Sequence, residues 1–281
     1  MGLVFVPTPI GNLRDITLRA IDVLRDCTLV VAEDTRTARR LFGALDIPLK
    51  ALISYREQNA AAVTEMILER AAAELVAVVT DAGMPGISDP GRELVVAARA
   101  AGIPLEVLPG PCAFVVAAVL SGFPLTGFAF AGFVPRRASE RIATLHLALQ
   151  ADTTTVFYEA PSRIVASLAA IERLAPEAKL FVARELTKRF EQQIAGTARE
   201  IAAALAVPVR GELVLAIAPR VLLRDDAPPP SDDTLDAAID AELASGSAVA
   251  AAAKRIARRF SAERSEIYRR IVARKAMRPA G

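Results

Sequence analysis

The chain has 281 residues, long enough to bury a full core and, by the length prior, to form two domains. Its 53% hydrophobic and 23% charged residues exclude wholesale disorder. Two cysteines, Cys27 and Cys112, and one histidine, His146, exclude a disulfide framework, argue against a structural zinc site and point to a reducing, intracellular compartment.

Net charge is +2 but unevenly spread: residues 247–281 hold ten Lys/Arg against Glu263 and Glu266, so a basic tail follows an acidic body. That pattern suits a polyanion, RNA or DNA ahead of membrane; a solvated helical face is the alternative reading. Met1–Pro7 has no basic n-region and no long apolar run, so no signal peptide is expected.

In chain order, residues 1–130 alternate predicted strands and helices. The strands are Leu3–Val6, Thr28–Ala32, Leu49–Ser54, Leu75–Thr80, Leu105–Leu108 and Phe128–Phe130. The helices are Thr17–Arg25, Thr37–Leu45, Ala60–Ala73, Arg92–Ala101 and Ala113–Leu120. Such alternation predicts an α/β fold with a mostly parallel sheet covered on both faces. Val107 to Pro135 carries no charge over a bilayer-spanning length, but its prolines and glycines would strand backbone groups in lipid, so no membrane span is expected. Gly132–Arg137 reads as a hinge into a second unit, with strands at Thr154–Tyr158, Lys179–Arg184, Glu191–Gly196 and Glu212–Ala218 and helices at Arg163–Arg173 and Ala198–Ala206. His146 lies in a helical stretch, where packing outweighs catalysis. Three prolines make 224–233 a linker. Helical periodicity returns at Thr234–Leu243, Ala248–Phe260 and Glu263–Lys275, with Ser261 as an N-cap, in a helix-turn-helix outline.

The strand-end loops carry the chemistry. Thr80-Asp-Ala-Gly-Met-Pro-Gly-Ile-Ser-Asp-Pro-Gly91 joins a buried strand to a helix, the place where open α/β sheets bind ligands. It has no Lys and two carboxylates and matches neither G-x-G-x-x-G nor the phosphate loop, which favours a ribose or a positive charge over a bare phosphate. The loop from Val6 to Asp15 follows the first strand and is expected to face the ligand, although Pro-x-Pro and Gly-Asn also make rigid turns. Ala32-Glu-Asp-Thr-Arg-Thr37 sets four polar side chains at the sheet mouth, where Asp34 or Thr35 could equally be an N-cap. Leu108-Pro-Gly-Pro-Cys-Ala113 bends into a helix whose small first residues leave room for a ligand; Cys112 reads as packing rather than as a nucleophile. Val156–Arg163 and Val182–Lys188 again end strands in polar clusters, so two domains facing one cleft are expected.

Seven motifs in this order, Pro7–Leu13, Ala32–Arg36, Thr80–Gly91, Pro109–Ala113, Ser121–Pro124, Phe157–Glu159 and Arg184–Lys188, resemble the ribosomal RNA small subunit methyltransferase I family. The resemblance covers about residues 3–220, and the terminal helices are similar to that family's helix-turn-helix extension. It implies two α/β domains of the tetrapyrrole-methylase type, at 1–131 and 132–223, with a cofactor cleft between them and a basic helical extension at 234–281. It implies S-adenosylmethionine in a folded pose against Pro9, Asp81, Ala82, Gly83, Ile87, Cys112, Ala113, Tyr158 and Leu186, no metal, a homodimer, and a cytoplasmic enzyme. Carboxylates and carbonyls suit a sulfonium and an amino group, and Gly and Ala admit adenine, so the residue chemistry agrees. The implied reaction is 2′-O-methylation of a cytidine ribose in the decoding region of 16S rRNA within the small ribosomal subunit.

A ribose hydroxyl is a poor acid, so a base or an alkoxide-stabilising cation is expected, with Glu33, Asp34, Arg36 and Glu159 as candidates. RNA phosphates would meet Arg14, Arg39, Arg40, Arg136 and Arg137 and, in the tail, Lys254, Arg255, Arg258, Arg259, Arg269 and Arg270. One departure stands out: where the family often has Pro-His-Arg or Thr-His-Arg, this chain has Pro161-Ser-Arg163. The rival readings are a tetrapyrrole (precorrin or uroporphyrinogen) methyltransferase on the same fold and a non-catalytic RNA-binding assembly factor. The basic tail argues against the first and the 80–91 loop against the second.

Overall fold

The computed structural model of the protein describes residues 1–220, 231–245, 247–260 and 262–276, without the side chains of Arg258, Arg259 and Ala276. The linker expectation for 224–230, the Ser261 cap and the side chains of Arg258 and Arg259 lie outside the described residues.

Five short apolar strands form the first sheet: β1 (Gly2–Phe5), β2 (Leu29–Ala32), β3 (Ala51–Ser54), β4 (Leu75–Val79) and β5 (Leu105–Val107). Their order is β3-β2-β4-β1-β5, and every pairing is parallel. Strand alternation splits the core in two. Val4, Val30, Ala77 and Val79 meet α1 (Leu18–Asp26) and α2 (Thr35–Ala44) through Ala20, Leu24, Ala38 and Phe42. Leu3, Phe5, Val31, Val76 and Val78 meet α3 (Ala60–Ala73) and α4 (Arg92–Ala100) through Ile67, Ala71, Leu94 and Ala98. The connections after β2 and β4 leave on opposite faces, which opens a crevice at the strands' carboxyl ends.

The second sheet is mixed. It comprises β6 (Phe128–Phe133), β7 (Thr154–Glu159), β8 (Leu180–Arg184), β9 (Gln192–Gly196) and β10 (Leu213–Ile217), in the order β6-β7-β10-β8-β9. Only the β6–β7 pairing is parallel; the other three are antiparallel. One face packs on α6 (Ala138–Gln150), α7 (Ile164–Leu174) and α8 (Ala198–Ala204). The other receives α5 (Ala113–Leu120) through Ala117 and Ala118, together with Ile10 from the first unit and Leu186.

Phe128–Phe130, expected as a strand of the first sheet, pairs with Thr154–Val156 and belongs to the second. Its composition could not reveal this, because sheet membership is set by partners distant in sequence. The charge-free stretch 107–135 resolves into the end of β5, helix α5 and β6, with positive φ at Gly122 and Gly132 turning the chain. Among the described residues no helix is long and apolar enough to cross a membrane.

From residue 231 onward come α9 (Asp232–Ala244), α10 (Val249–Phe260) and α11 (Arg264–Ala276). Ser231 Oγ accepts from Thr234 N as the N-cap of α9, so 231–233, expected as linker, start the helix instead. Leu235, Ile239, Ala252, Ala253, Ile256, Ile267 and Ile271 form a small core of their own. Around it Arg255 pairs with Glu242, Arg270 with Asp232, and Arg274 with Asp236 and Asp240.

Candidate active site

The ends of β1, β2 and β4 and the ends of β7 and β10 face a cleft of about 390 Å³. It is built by close backbone approach. Thr8 and Gly83 exchange two main-chain hydrogen bonds of 2.9 and 3.0 Å, with Gly83 at φ +82°, which locks the first loop to the 80–91 loop. Gly11 lies where a Cβ would come within 2.8 Å of Leu186 O and Thr187 Oγ1, so the first loop presses directly on the second unit. Leu186, which lines the cleft, sits between Glu185 (φ +54°) and Thr187 (φ +62°), both held in the left-handed region. Strain of this kind persists only where surroundings over-determine it, and it concentrates at ligand sites. Here Glu185 Oε1 accepts from Lys188 Nζ (2.8 Å) and Glu212 N (3.0 Å), and Glu191 Oε2 accepts from Thr187 N (2.7 Å).

One wall of the cleft is apolar: Ile10, Ala113, Tyr158, Leu186 and Val214. Burial pushes the Tyr158 phenol up, and Phe130 and Phe133 flank its ring at 4.9 and 5.4 Å. The opposite end is acidic. Glu33, Asp81 and Asp89 converge there, and no Lys or Arg lines the cleft among the described residues. Thr80 Oγ1 lies 2.6 Å from Asp89 Oδ2 and 3.0 Å from Glu33 Oε2. Asp81 Oδ1 accepts from Asp34 N at 3.2 Å. Burial, reinforced by the charges of Glu33 and Asp81 and opposed by the Thr80 hydroxyl, raises Asp89 to about 6; burial and Glu33 raise Asp81 as well.

Of the cofactor residues expected from sequence, Asp81, Ala82, Gly83, Ile87, Ala113, Tyr158 and Leu186 line this cleft. Pro9 lines an adjoining groove of about 270 Å³ that shares Thr80 and Asp81 with the cleft and also holds Arg40. Cys112 is the N-cap residue of α5, beside Ala113, and burial pushes its thiol up, away from a reactive thiolate.

The four catalytic candidates divide. Glu33 lines the cleft. Asp34 caps α2 through Arg36 N (2.8 Å) and is gripped by the Arg36 guanidinium, which holds its carboxyl well below the usual range. Arg36 is thereby tied to Asp34, with Arg56 3.6 Å from the same carboxylate. Glu159 lines the cleft as well. Its side chain is fully buried, accepting from Ala160 N (2.7 Å), Arg163 (2.8 Å) and Ser167 Oγ. With both oxygens taken by these donors, it pins β7 to α7.

Arg14, Arg39, Arg40, Arg136 and Arg137 are all exposed. Arg137 pairs with Glu140 at 3.2 Å. In the tail, Lys254 and Arg269 are exposed without an ion pair among the described residues, whereas Arg255 and Arg270 are engaged inside the bundle. Ser162, where the family often has His, is exposed and outside the cleft lining.

Sequence reasoning missed Asp89, although it sits in the loop singled out, and it missed Gly211–Val214. Ligand sites are expected at strand carboxyl ends, which hides the second of these. β10 runs antiparallel to β7, with Leu213 opposite Glu159, so its first residues reach the cleft instead.

Residues 2–202 match the family profile of the tetrapyrrole (corrin/porphyrin) methylases. The ribosomal RNA small subunit methyltransferase I of Mesorhizobium japonicum is 37% identical over 276 residues, 96% of this chain and 91% of that one. Its counterpart in Synechocystis is 36% identical over 95% of this chain and 96% of that one, and the one in Hydrogenobaculum 41% identical over 77% and 95%. Among solved structures, uroporphyrin-III C-methyl transferase of Thermus thermophilus complexed with S-adenyl homocysteine superposes with a TM-score of 0.55 at 22% identity, covering 79% of this chain and all (100%) of that one. A diphthine synthase gives 0.59 at 12% identity, covering 77% of this chain and 89% of that one. Likeness at that identity shows the fold; the profile match and the sequence relatives together show that the chain belongs to the tetrapyrrole methylase family and, within it, to the ribosomal RNA small subunit methyltransferase I group.

Proposed function

We propose that this methyltransferase transfers the methyl group of S-adenosylmethionine to the 2′-hydroxyl of a cytidine ribose in the decoding region of 16S rRNA. The observation that carries the cofactor is the chemistry of the cleft. An acidic end without a basic side chain disfavours phosphate-bearing cofactors, Asp81 within it suits a sulfonium or an ammonium group, and the apolar wall suits an adenine. When bound, this cofactor supplies an electrophilic methyl group. Asp81 and the Gly83 backbone would hold its polar end, and Ala113, Tyr158 and Leu186 its adenine. The protein's remaining task is to align an acceptor hydroxyl with that methyl group and to receive a proton, and alignment alone supplies much of the acceleration.

The substrate half of the reading rests on charge. Arg40 borders the groove that joins the cleft, Arg14, Arg39, Arg136 and Arg137 are exposed, and the C-terminal bundle adds Lys254, Arg264, Arg269 and Lys275, exposed and without an ion pair among the described residues. Such cations fit rRNA phosphates in the small ribosomal subunit, and a cytoplasmic location is part of the same proposal. A homodimer fits the exposed apolar side chains of β5, α5 and β6: Val107 (56%), Val119 (65%) and Phe133 (54%).

The test is transfer of labelled methyl from S-adenosylmethionine to small subunits from cells lacking the enzyme, followed by nucleoside analysis. A 2′-O-methylated cytidine is expected. Cofactor binding with label only on a tetrapyrrole would overturn the substrate, and absence of cofactor binding would overturn the site.

A further inference from the structure

The cleft holds one feature that methyl-donor binding does not use. A single threonine hydroxyl stands between two carboxylates at the ends of different elements: Thr80 after β4, Glu33 after β2, and Asp89 farther along the 80–91 loop. A hydroxyl carries one proton, so Thr80 can donate to only one of the two at a time. With both carboxylates ionised, the shorter contact, 2.6 Å, assigns that donation to Asp89 and leaves Glu33 without it. If Asp89 gains a proton, its new O–H donates to Thr80 Oγ1 and the Thr80 hydroxyl turns to Glu33 Oε2, 3.0 Å away. The Thr80–Asp89 hydrogen bond therefore survives in both protonation states, and protonation of Asp89 gives Glu33 the Thr80 donation it otherwise lacks.

We propose that Asp89 is the proton acceptor of the methyl-transfer reaction, with Thr80 and Glu33 as the positioning pair that switches hydrogen bonds when Asp89 is protonated. The proposal rests on the reading of the cleft as the methyl-transfer site. The acceptor hydroxyl loses its proton to Asp89 Oδ and its oxygen gains the methyl carbon. The C–S electron pair stays on sulfur, so the sulfonium's positive charge leaves as the proton on the carboxyl group. The groups facing Asp89 are Glu33 and Asp81 from the first sheet and Tyr158 across the cleft. Burial and the two acids raise its proton affinity toward neutrality, where a base works best. Asp34 is neutralised by Arg36 and Arg56 and takes no part.

The experiment compares wild type, Asp89→Asn, Asp89→Glu, Thr80→Val and Glu33→Gln in three readouts: S-adenosylhomocysteine affinity by calorimetry, single-turnover methylation of small subunits against pH, and carboxyl titration of the ligand-free protein by carbon-13 NMR. For Asp89→Asn the expected result is unchanged affinity and a transfer rate lower by about 100- to 10,000-fold, the usual contribution of a positioned base. Asp89→Glu recovers part of that rate. In wild type one carboxyl titrates near pH 6, disappears in Asp89→Asn and moves toward the ordinary range in Glu33→Gln. Wild-type turnover by Asp89→Asn, or loss of its affinity with its rate at saturation intact, would overturn the proposal, as would an Asp89 carboxyl titrating near 4 in wild type. Wild type that binds the ligand but labels no RNA would instead sink the substrate reading, while the NMR titration still tests the proton switch.

Discussion

At the scale of single residues, two carboxylates that line one cleft meet opposite fates. Glu159, fully buried, has three donors and is fixed in the scaffold; Asp89, half-buried, has one shared hydroxyl. Removing a partner from a buried, paired charge costs about 3–5 kcal/mol, so Arg163→Ala should lower the melting temperature by roughly 6–15 °C with cofactor affinity in the surviving fold little changed. Calorimetry checks this, and a variant that melts like wild type contradicts the scaffold role. Asp89 is held above its ordinary 3.8, at about 6, so the folded protein binds that proton more tightly than the unfolded chain does. Its favourable contribution is complete below pH 3.8 and is lost as pH rises through 6. Above that, the ionised carboxylate is a cost of up to about 3 kcal/mol, less whatever solvent screens. Asp89→Asn should therefore be more stable than wild type at pH 8, with the gap closing toward pH 4. A gap that is flat with pH, followed by urea unfolding, would speak against a raised carboxyl. A group that destabilises its own fold at working pH is a common signature of function.

At the scale of elements, the sequence was most legible where one strand or helix dominates its neighbourhood. The ranges expected for the helices Ala60–Ala73 and Ala113–Leu120 are the bounds observed, and β1, β2 and β4 fall within a residue of expectation, their apolar runs being buried on both faces. Legibility failed where pairing decides. Phe128–Phe133 joins the second sheet, and Leu213–Ile217 brings its leading end to the cleft only because it is antiparallel to β7. The Arg184–Lys188 motif was visible as polar residues, but the left-handed φ of Glu185 and Thr187 was not, since neither is a glycine. Gly11, visible as a turn former, turns out to be the point where the two units touch. Gly11→Ala should force the two units apart there, costing about 1–3 kcal/mol and weakening S-adenosylhomocysteine binding about 10-fold or more, with both sheets intact by circular dichroism. Unchanged affinity would mean that the first loop does not set the cleft.

At the scale of the whole molecule, the basic tail was legible as charge, but not in how that charge is used. Arg255, Arg270 and Arg274 face acids of α9 and hold the bundle together, whereas Lys254, Arg264 and Arg269 point outward. Replacing the outward three with Ala should flatten the slope of log affinity against log salt by about 2, near 0.7 for each phosphate left without its cation, with cofactor affinity unchanged. Arg274→Ala should instead lower the bundle's stability. Equal salt slopes in wild type and the triple variant would refute RNA binding by this face. Composition alone left both a polyanion-binding surface and a solvated helix open; the ion pairs assign Arg255, Arg270 and Arg274 to the bundle, and RNA contact is proposed for the outward cations alone.

The acidic, two-sided cleft as the seat of the methyl donor is the claim on which everything else depends. The most direct measurement is calorimetric titration of S-adenosylmethionine into wild type, Asp81→Ala and Ala113→Trp, the last of which fills the apolar wall. Micromolar binding to wild type and a weakening of about 100-fold or more in each variant are expected. Full-strength binding to Ala113→Trp, or no binding to wild type, would contradict that claim.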